Sequence, residues 1–417
     1  MRDAVEQISI LHYADMSGMG GTERYLVGFL SRNSTRYRLR QGVEILGREH
    51  PSFVPGLRDG KHGIYYAKRV GPLKIPKYPP ALREAYHRRV ARAYSPGIGL
   101  IWNRIGDVTA LRRARAGGLT VVHWERGFGW FDDEGETNIR SYLGGIDAAF
   151  SNSYAGARIL QLGWDFDRPV EVLRNTLRGD APAARTEPRR LPTDRPLRLG
   201  ACGRLLPFKG VSLALHALRE LMESGVEASL EIAGTGPLAQ QLDDVIRRLG
   251  IGDRTRLLGE VGDIEAFYDR IDLLLHPALR EPCANVIPEA MARGCPVIAG
   301  NVDGVPELVD DGVTGTILEP SLPLSDYARF GAHVGRLPRF VYHPLEDTVG
   351  EPRLLDPALL ADAVRGYVDD PSRYADHSAG ALKAVHARFD PAPQFELVLD
   401  RLNGLLTPDH QKMGTNS

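Results

Sequence analysis

The sequence predicts an α/β protein built from two Rossmann-like, doubly wound domains facing each other across a cleft, and three observations lead there. At 417 residues the chain is too long for one ordinary hydrophobic core. In both halves, short aliphatic or β-branched runs alternate with stretches of helical period, the pattern of a parallel sheet covered on both faces. Between the halves, Arg178 to Leu197 is polar, rich in proline and arginine and without periodicity, as an interdomain linker would be. The expected boundaries are 1–185 for the first domain and 186–390 for the second, with a closing helix at about 391–406.

Residues 7–13 form the first strand. The loop Ser17-Gly18-Met19-Gly20-Gly21 follows, with Thr22 placed to cap a helix running to about residue 30. Glycines let the backbone approach a ligand, and a helix N-terminus behind them favours negative charge, so Gly20 and Gly21 are candidate binding residues. An ordinary tight turn would look the same. Further strands are expected at 42–46, 64–70, 100–103, 120–123 and 148–151, and helices at 80–94, 109–116 and 153–162. His123 ends a β-branched run before the loop Trp124 to Trp130, where a strand's carboxyl end points into the cleft. A satisfied structural histidine is the competing reading.

In the second domain, a strand at 198–202 leads into Gly203-Arg204-Leu205-Leu206-Pro207-Phe208-Lys209-Gly210 and a helix to about residue 224. Strand 230–233 precedes helix 238–249, and strand 255–258 precedes helix 264–270. Next come a buried strand at 271–276, a polar loop carrying Glu281, a short helix at 286–293 with Pro288 and Glu289 in its opening turns, and a strand at 296–299. Ligands of open α/β sheets bind outside the carboxyl ends of the strands, where these loops would lie. Arg204 offers a fork for phosphate oxygens and Lys209 a mobile point charge, against the alternative of two solvated surface cations. Glu281 and Glu289 are acceptor-only groups suited to hydroxyls, or else ordinary surface acids. Residues 321–356 fit no template and are expected as an excursion, followed by helices at 357–368, 371–389 and 395–406 and a frayed tail.

The bulk numbers exclude several classes. No apolar run reaches the ~18 residues of a membrane span, and the first residues lack the zones of a signal peptide. Cys202, Cys283 and Cys295 follow neither disulfide nor zinc spacing, so a reduced cytoplasmic setting is expected, with no nucleic-acid partner. Net charge is −1, but residues 1–185 hold 28 Lys+Arg against 19 Asp+Glu, leaving the remainder acidic. Within 61–92 nine basic residues face one acid, Glu84. Such a run is a solvated face or meets something anionic, a membrane or a phosphate-bearing substrate.

Two constellations compete with the cleft reading. Gly234-Thr235-Gly236-Pro237-Leu238-Ala239 fits the dinucleotide fingerprint G-x-G-x-x-A, with Glu260 beyond it, and keeps an NAD(P)-dependent oxidoreductase as an alternative. Asp165-Phe166-Asp167 resembles a metal-binding Asp-x-Asp but has no third ligand nearby.

The whole set resembles the retaining GT-B glycosyltransferases, glycosyltransferase family 4 (glycosyl transferases group 1). The resemblance rests on Gly20-Gly21-Thr22-Glu23, Gly203-Arg204-Leu205 with Lys209-Gly210, Ala233 to Pro237, Glu281-x₇-Glu289-Ala290, Gly294-Cys295-Pro296-Val297-Ile298, Gly304 to Leu308 and Asp311-Gly312-x-Thr314-Gly315. It covers Arg198 to Leu318 densely and the first domain only at its glycine loop and His123. It implies that Arg204 and Lys209 hold the diphosphate of a UDP- or GDP-linked sugar, with Gly203, Gly236, Asn285 and Val286 around it. Glu289 would take the ribose hydroxyls, Glu281 and His123 would lie by the transferred sugar, and Gly20 and Gly21 would cover the phosphates. No cofactor or metal is implied, and the last helix is expected to cross back onto the first domain. The acceptor would be a glycan, a lipid-linked species or a small molecule, in cell-surface glycan or glycolipid biosynthesis. A non-catalytic nucleotide-sugar-binding protein is a further alternative. The sequence departs from the family at Cys283 and Ala284, where an aromatic and a glycine are usual, and at Asp303, which replaces a glycine.

Overall fold

The computed structural model describes residues 6–407 except 19, 59, 72, 77, 128, 132–133, 178–183 and 332–334. Met19 of the glycine loop, Lys77 of the basic run, Phe128, the start of the Pro/Arg-rich stretch and the tail from residue 408 therefore lie outside the described residues. The chain divides into two compact units, one comprising residues up to Arg174 together with those from Pro391, the other Asn175–Asp390.

The first unit runs β1 (Gln7–Ala14), α1 (Gly21–Ser31), β2 (Arg38–Ile45), α2 (Val54–Arg58), β3 (Gly63–Tyr66), β4 (Arg69–Val70), β5 (Leu73–Lys74), α3 (Pro80–Arg92), β6 (Ile98–Trp102), α4 (Val108–Ala116), β7 (Thr120–Glu125), α5 (Glu136–Gly145), β8 (Ala148–Ser151), α6 (Tyr154–Arg158) and β9 (Val170–Val172). Its sheet has the order β5-β4-β3-β2-β1-β6-β7-β8-β9. The strands are parallel except β4 and β5, which fold back antiparallel at one edge. The expected single strand at 64–70 is thus two, turned at Ala67-Lys68, a turn with no glycine or proline to announce it. The expected helix at 153–162 is α6 followed by a π-helical turn, Ile159–Gly163.

The second unit runs β10 (Leu197–Cys202), α7 (Val211–Glu223), β11 (Ala228–Ala233), α8 (Ala239–Leu249), β12 (Thr255–Gly259), α9 (Ile264–Arg270), β13 (Leu273–His276), α10 (Val286–Ala292), β14 (Val297–Gly300), β15 (Gly315–Leu318), β16 (Leu322–Pro323), β17 (Val341–His343), β18 (Thr348–Gly350), β19 (Arg353–Leu354), α11 (Pro357–Asp369) and α12 (Pro371–Arg388). Its main sheet, β12-β11-β10-β13-β14-β15, is wholly parallel. Strands buried on both faces read as continuous aliphatic runs, which is how Leu273-Leu274-Leu275 and Val297-Ile298-Ala299 appear in the sequence. Helix α7 packs against α11, α8 and β11, so most of it is buried. The excursion at 321–356 holds two small antiparallel pairs, β16·β19 and β17·β18.

The last helix, α13 (Pro391–Gly404), belongs to the first unit. Its Phe395, Val398, Leu399 and Leu402 share a core with β1, α1 and β2, and the Phe29 and Phe395 rings meet edge to face at 4.9 Å. The expected linker is corrected in two ways. The division falls at residue 174, and the described part of the stretch is tied to the second unit. The Arg189 amide donates to Ser378 Oγ at 2.8 Å, and Arg195 makes a two-pronged pair with Asp272 at 2.8 Å. Polar composition looked unstructured because these arginines find their partners far away in sequence.

Candidate active site

The strand order of the second unit reverses between β10 and β13, each followed by its own loop and helix on opposite sides. In open α/β sheets, ligands bind outside the carboxyl ends of strands at such a switch point. The loops concerned are Gly203–Gly210 after β10 and Pro277–Asn285 after β13, so topology selects the segments that carry Arg204, Lys209 and Glu281.

Backbone-to-backbone packing fixes the first of these loops. Gly203 N–H donates to Ala233 O at 2.9 Å and Leu205 N–H to Thr235 O at 2.8 Å. Gly234 has φ +140°, and a Cβ there would sit 1.8 Å from Gly203 O. A Cβ on Gly236 would meet Leu205 O at 2.5 Å. The two glycines that suggested a dinucleotide fingerprint are therefore required by the neighbouring loop, which removes the reason to invoke NAD(P). On the other side, Leu279 N–H donates to Phe208 O at 2.9 Å, and a Cβ on Gly210 would lie 1.9 Å from Pro277 O. Three loops are thus zipped together, and Lys209, in the 3₁₀ turn Pro207–Lys209 before α7, is held over the loop after β13.

Glu281 is buried, and its Oε2 accepts a short hydrogen bond from Lys209 Nζ. His276 Nε2, at the end of β13, lies 3.0 Å from the same oxygen but off the hydrogen-bonding direction. Burial alone would push the Glu281 carboxyl up, but the Lys209 ammonium and His276 hold it well below the usual carboxylate range. It is a fixed anion. Its backbone is fixed as well: Glu281 N–H donates to Asp303 Oδ2 at 2.8 Å, and Gly304 N–H donates to Glu281 O at 3.1 Å. Asp303 adopts φ +47°, a conformation aspartate tolerates better than most side chains, which explains how it stands where the resembling family has glycine. Its other oxygen accepts from Tyr342 N–H at 2.8 Å, so the buried carboxylate links the Glu281 loop to the excursion.

Glu289, in α10, is half-buried and accepts from Tyr268 Oη at 3.0 Å. Asn285 precedes α10, and its Oδ1 accepts from Asn175 Nδ2 at 2.9 Å; Val286, half-buried, opens the helix. Arg204 is exposed, with no ion-pair partner among the described residues. Lys209, Glu281 and His276 thus form one cluster, with Arg204 in the same loop as Lys209. Burial pushes the Cys202 thiol up to about 11, so it stays neutral.

The first-unit candidates are placed differently from expectation. Gly20, not Thr22, occupies the N-cap of α1; Glu23 folds back so that its Oε2 accepts from Gly20 N–H at 3.0 Å, and a Cβ on Gly20 would meet that carboxylate at 2.6 Å. Gly21 is the first helical residue. Strand β7 does not end at His123 but runs on to Glu125, because Trp124 is drawn into the core against Trp102. His123 is completely buried, Nδ1 2.9 Å from Tyr142 Oη and Nε2 3.3 Å from Glu125 Oε2, and so presents no open edge. Glu125 in turn accepts from the Gly129 amide at 3.1 Å, which makes His123 a brace for the loop behind it. Asp165 is paired with Arg140 at 2.6 Å.

Sequence reasoning named neither His276 nor the bridging role of Asp303. A polar residue closing an all-aliphatic strand five positions before Glu281 was the available signal for His276. Asp303 was visible only as a departure.

Residues 185–328 match the family model described as glycosyl transferases group 1, so the second unit carries that region. Among curated relatives, the α-D-kanosaminyltransferase of Streptomyces kanamyceticus is 33% identical over 129 residues, 30% of this chain and 33% of its own. A putative colanic acid biosynthesis glycosyltransferase of Salmonella typhimurium is 28% identical over 166 residues, 38% of this chain and 40% of its own. The chain thus spans roughly a third to two fifths of the length of the curated relatives it matches. The solved structure of Anabaena HepE with UDP and glucose superposes with a TM-score of 0.69 at 19% identity, over 95% of this chain and 100% of that one. Sucrose-phosphate synthase of Thermosynechococcus elongatus gives 0.66 at 15%, over 96% and 99%. The fold is that of the GT-B glycosyltransferases, with two Rossmann-like units.

Proposed function

We propose that the protein is a metal-independent glycosyltransferase that moves a hexose from a nucleotide sugar to a hydroxyl acceptor with retention of anomeric configuration, as in family 4. The observation that carries the reading is the Lys209–Glu281–His276 cluster at the switch point of the second sheet, in the region that matches glycosyl transferases group 1. Arg204 and Lys209 hold the diphosphate, whose charge grows as it departs and is stabilised by the two cations in place of a metal. Glu281, already ionised and fixed at its backbone, accepts from hydroxyls of the sugar, and Glu289 from those of the ribose. Gly203, Gly236, Asn285 and Val286 line the donor. The acceptor oxygen attacks from the face the diphosphate leaves, a departing phosphate oxygen taking its proton, so no protein nucleophile is needed. His123 acts through the Glu125 loop as a positioning residue.

A putative colanic acid and an amylovoran biosynthesis glycosyltransferase among the relatives favour a role in cell-surface glycan assembly. Thermal-shift titration with UDP, GDP and their sugars tests the donor class, and product analysis with chelator present tests retention and metal independence. Arg204→Ala and Lys209→Ala should each lower turnover by orders of magnitude. Absence of any nucleotide-dependent shift, or near-normal turnover in both variants, would sink the proposal; binding without transfer would leave only a sugar-nucleotide-binding protein.

A further inference from the structure

We infer that the edge of the first unit formed by β4, β5 and the start of α3 docks on an anionic lipid bilayer. Twelve large apolar side chains are exposed among the described residues, and four fall within 70–82: Val70 (48%), Leu73 (74%), Tyr78 (72%) and Leu82 (57%). Val70 and Leu73 are directly opposed in the β4·β5 ladder and so project from the same face of the hairpin. Arg83 donates to Ile75 O at 2.9 Å and the His87 ring meets Ala67 O at 3.1 Å, which fastens the hairpin to α3. The apolar tips therefore belong to one local structure.

Charge decides what this edge meets. Lys61, Lys68, Lys74, Arg88, Arg89 and Arg92 are exposed and have no ion-pair partner among the described residues. Leu82, Ala85, Arg89 and Arg92 follow the three-and-four spacing of one helical stripe, apolar at its start and cationic at its end. Glu84, the sole acid of the stretch, is one step round the helix and lies 4.0 Å from Arg112 of α4. Arg69 is not counted, since it stacks over Tyr66 and pairs with Glu49. Protruding aliphatic and aromatic side chains interleaved with unpaired cations match a lipid interface, where the apolar tips enter the headgroup boundary and the cations meet phosphates. A nucleic-acid partner would leave Leu73 and Leu82 without an apolar phase to enter, and a protein partner would have to supply both an apolar groove and matching acids, which a bilayer of anionic lipid supplies together. The inference stands independently of the proposed chemistry.

Flotation of the full chain with phosphatidylcholine vesicles, with and without phosphatidylglycerol, tests it. Binding should require the anionic lipid and weaken steeply at about 0.5 M salt, where screening shortens to a few ångströms. Lys68→Ser/Lys74→Ser/Arg88→Ser should lose about a hundredfold in affinity, roughly fivefold per charge. Leu73→Ser/Leu82→Ser should lose whatever binding survives high salt. All five positions in these tests are exposed, and unchanged melting confirms that the variants are folded. Failure to float with anionic vesicles, equal flotation with neutral ones, or variants that bind like the parent would overturn the inference. So would capture by heparin to which Leu73→Ser/Leu82→Ser is indifferent while vesicle binding stays absent.

Discussion

Removing the cation beside Glu281 gives the sharpest test of the site as built. In Lys209→Met, the buried Glu281 carboxylate keeps only His276 at 3.0 Å. Breaking a buried ion pair by deleting one partner costs about 3–5 kcal/mol. The low end applies here, because the Lys209 side chain is 20% exposed and water can partly replace it. A loss of about 3 kcal/mol in a unit of this size corresponds to roughly 10 °C in melting. The pH dependence follows from sign. In the parent, the carboxyl is held below its unfolded value, so its contribution is present above the ordinary carboxylate range and lost as pH falls through the folded value. In the variant, burial without the ammonium raises the carboxyl instead, so the gap between parent and variant should widen from pH 4 to pH 7. Adding Glu281→Gln should restore most of the stability but none of the turnover. The assay must be calorimetry or far-ultraviolet dichroism. All four tryptophans, Trp102, Trp124, Trp130 and Trp164, lie in the first unit, so their emission serves only as an internal control. Stability within about 0.5 kcal/mol of the parent at pH 7, or a double variant as weak as the single, would refute the reasoning.

Two further outcomes are expected. At position 303, Asp303→Gly keeps the positive φ but strands two buried amides, those of Glu281 and Tyr342, at about 1–3 kcal/mol each. Asp303→Ala should cost about 1–2 kcal/mol more because its backbone is strained, so urea unfolding should rank glycine above alanine; the reverse order would dismiss the strain argument. In the first unit, burial lowers His12 to about 3, with its hydrogen bond to Gln41 opposing. The unfolded chain therefore takes up a proton first as pH drops below about 6.5, and stability should fall by up to about 1.4 kcal/mol per pH unit. His12→Asn should flatten that slope by about 2 kcal/mol between pH 6 and 4.5, followed by tryptophan emission, since Trp102 Nε1 donates to His12 Nδ1. An unchanged slope would count against the burial account.

The second unit was largely legible in the sequence. Its strands are aliphatic on both faces, and its turns are marked by glycines whose Cβ clashes with neighbouring main chain show why nothing larger fits. Local signals were weaker elsewhere. Helix α5 buries Ile139, Tyr142 and Leu143 but ends in Gly144-Gly145, which blurred its pattern, and β15 is only four residues long. His123 looked like a strand terminus because the β-branched run stops there; Trp124 and Glu125 extend the strand for reasons of packing that composition does not encode. The candidates Lys209 and Glu281 could be named one by one. Their contact could not, because it depends on β10 and β13 lying side by side although more than 70 residues separate the two side chains.

The return of α13 to the first unit has a consequence for biogenesis. A ribosome emits every residue of the second unit before it emits the segment that seals the core around Phe29. The half of the molecule translated earliest is therefore completed last. Until Phe395 and Leu399 emerge, the aliphatic wall beneath β1 and β2 stays open to water or to any chaperone within reach.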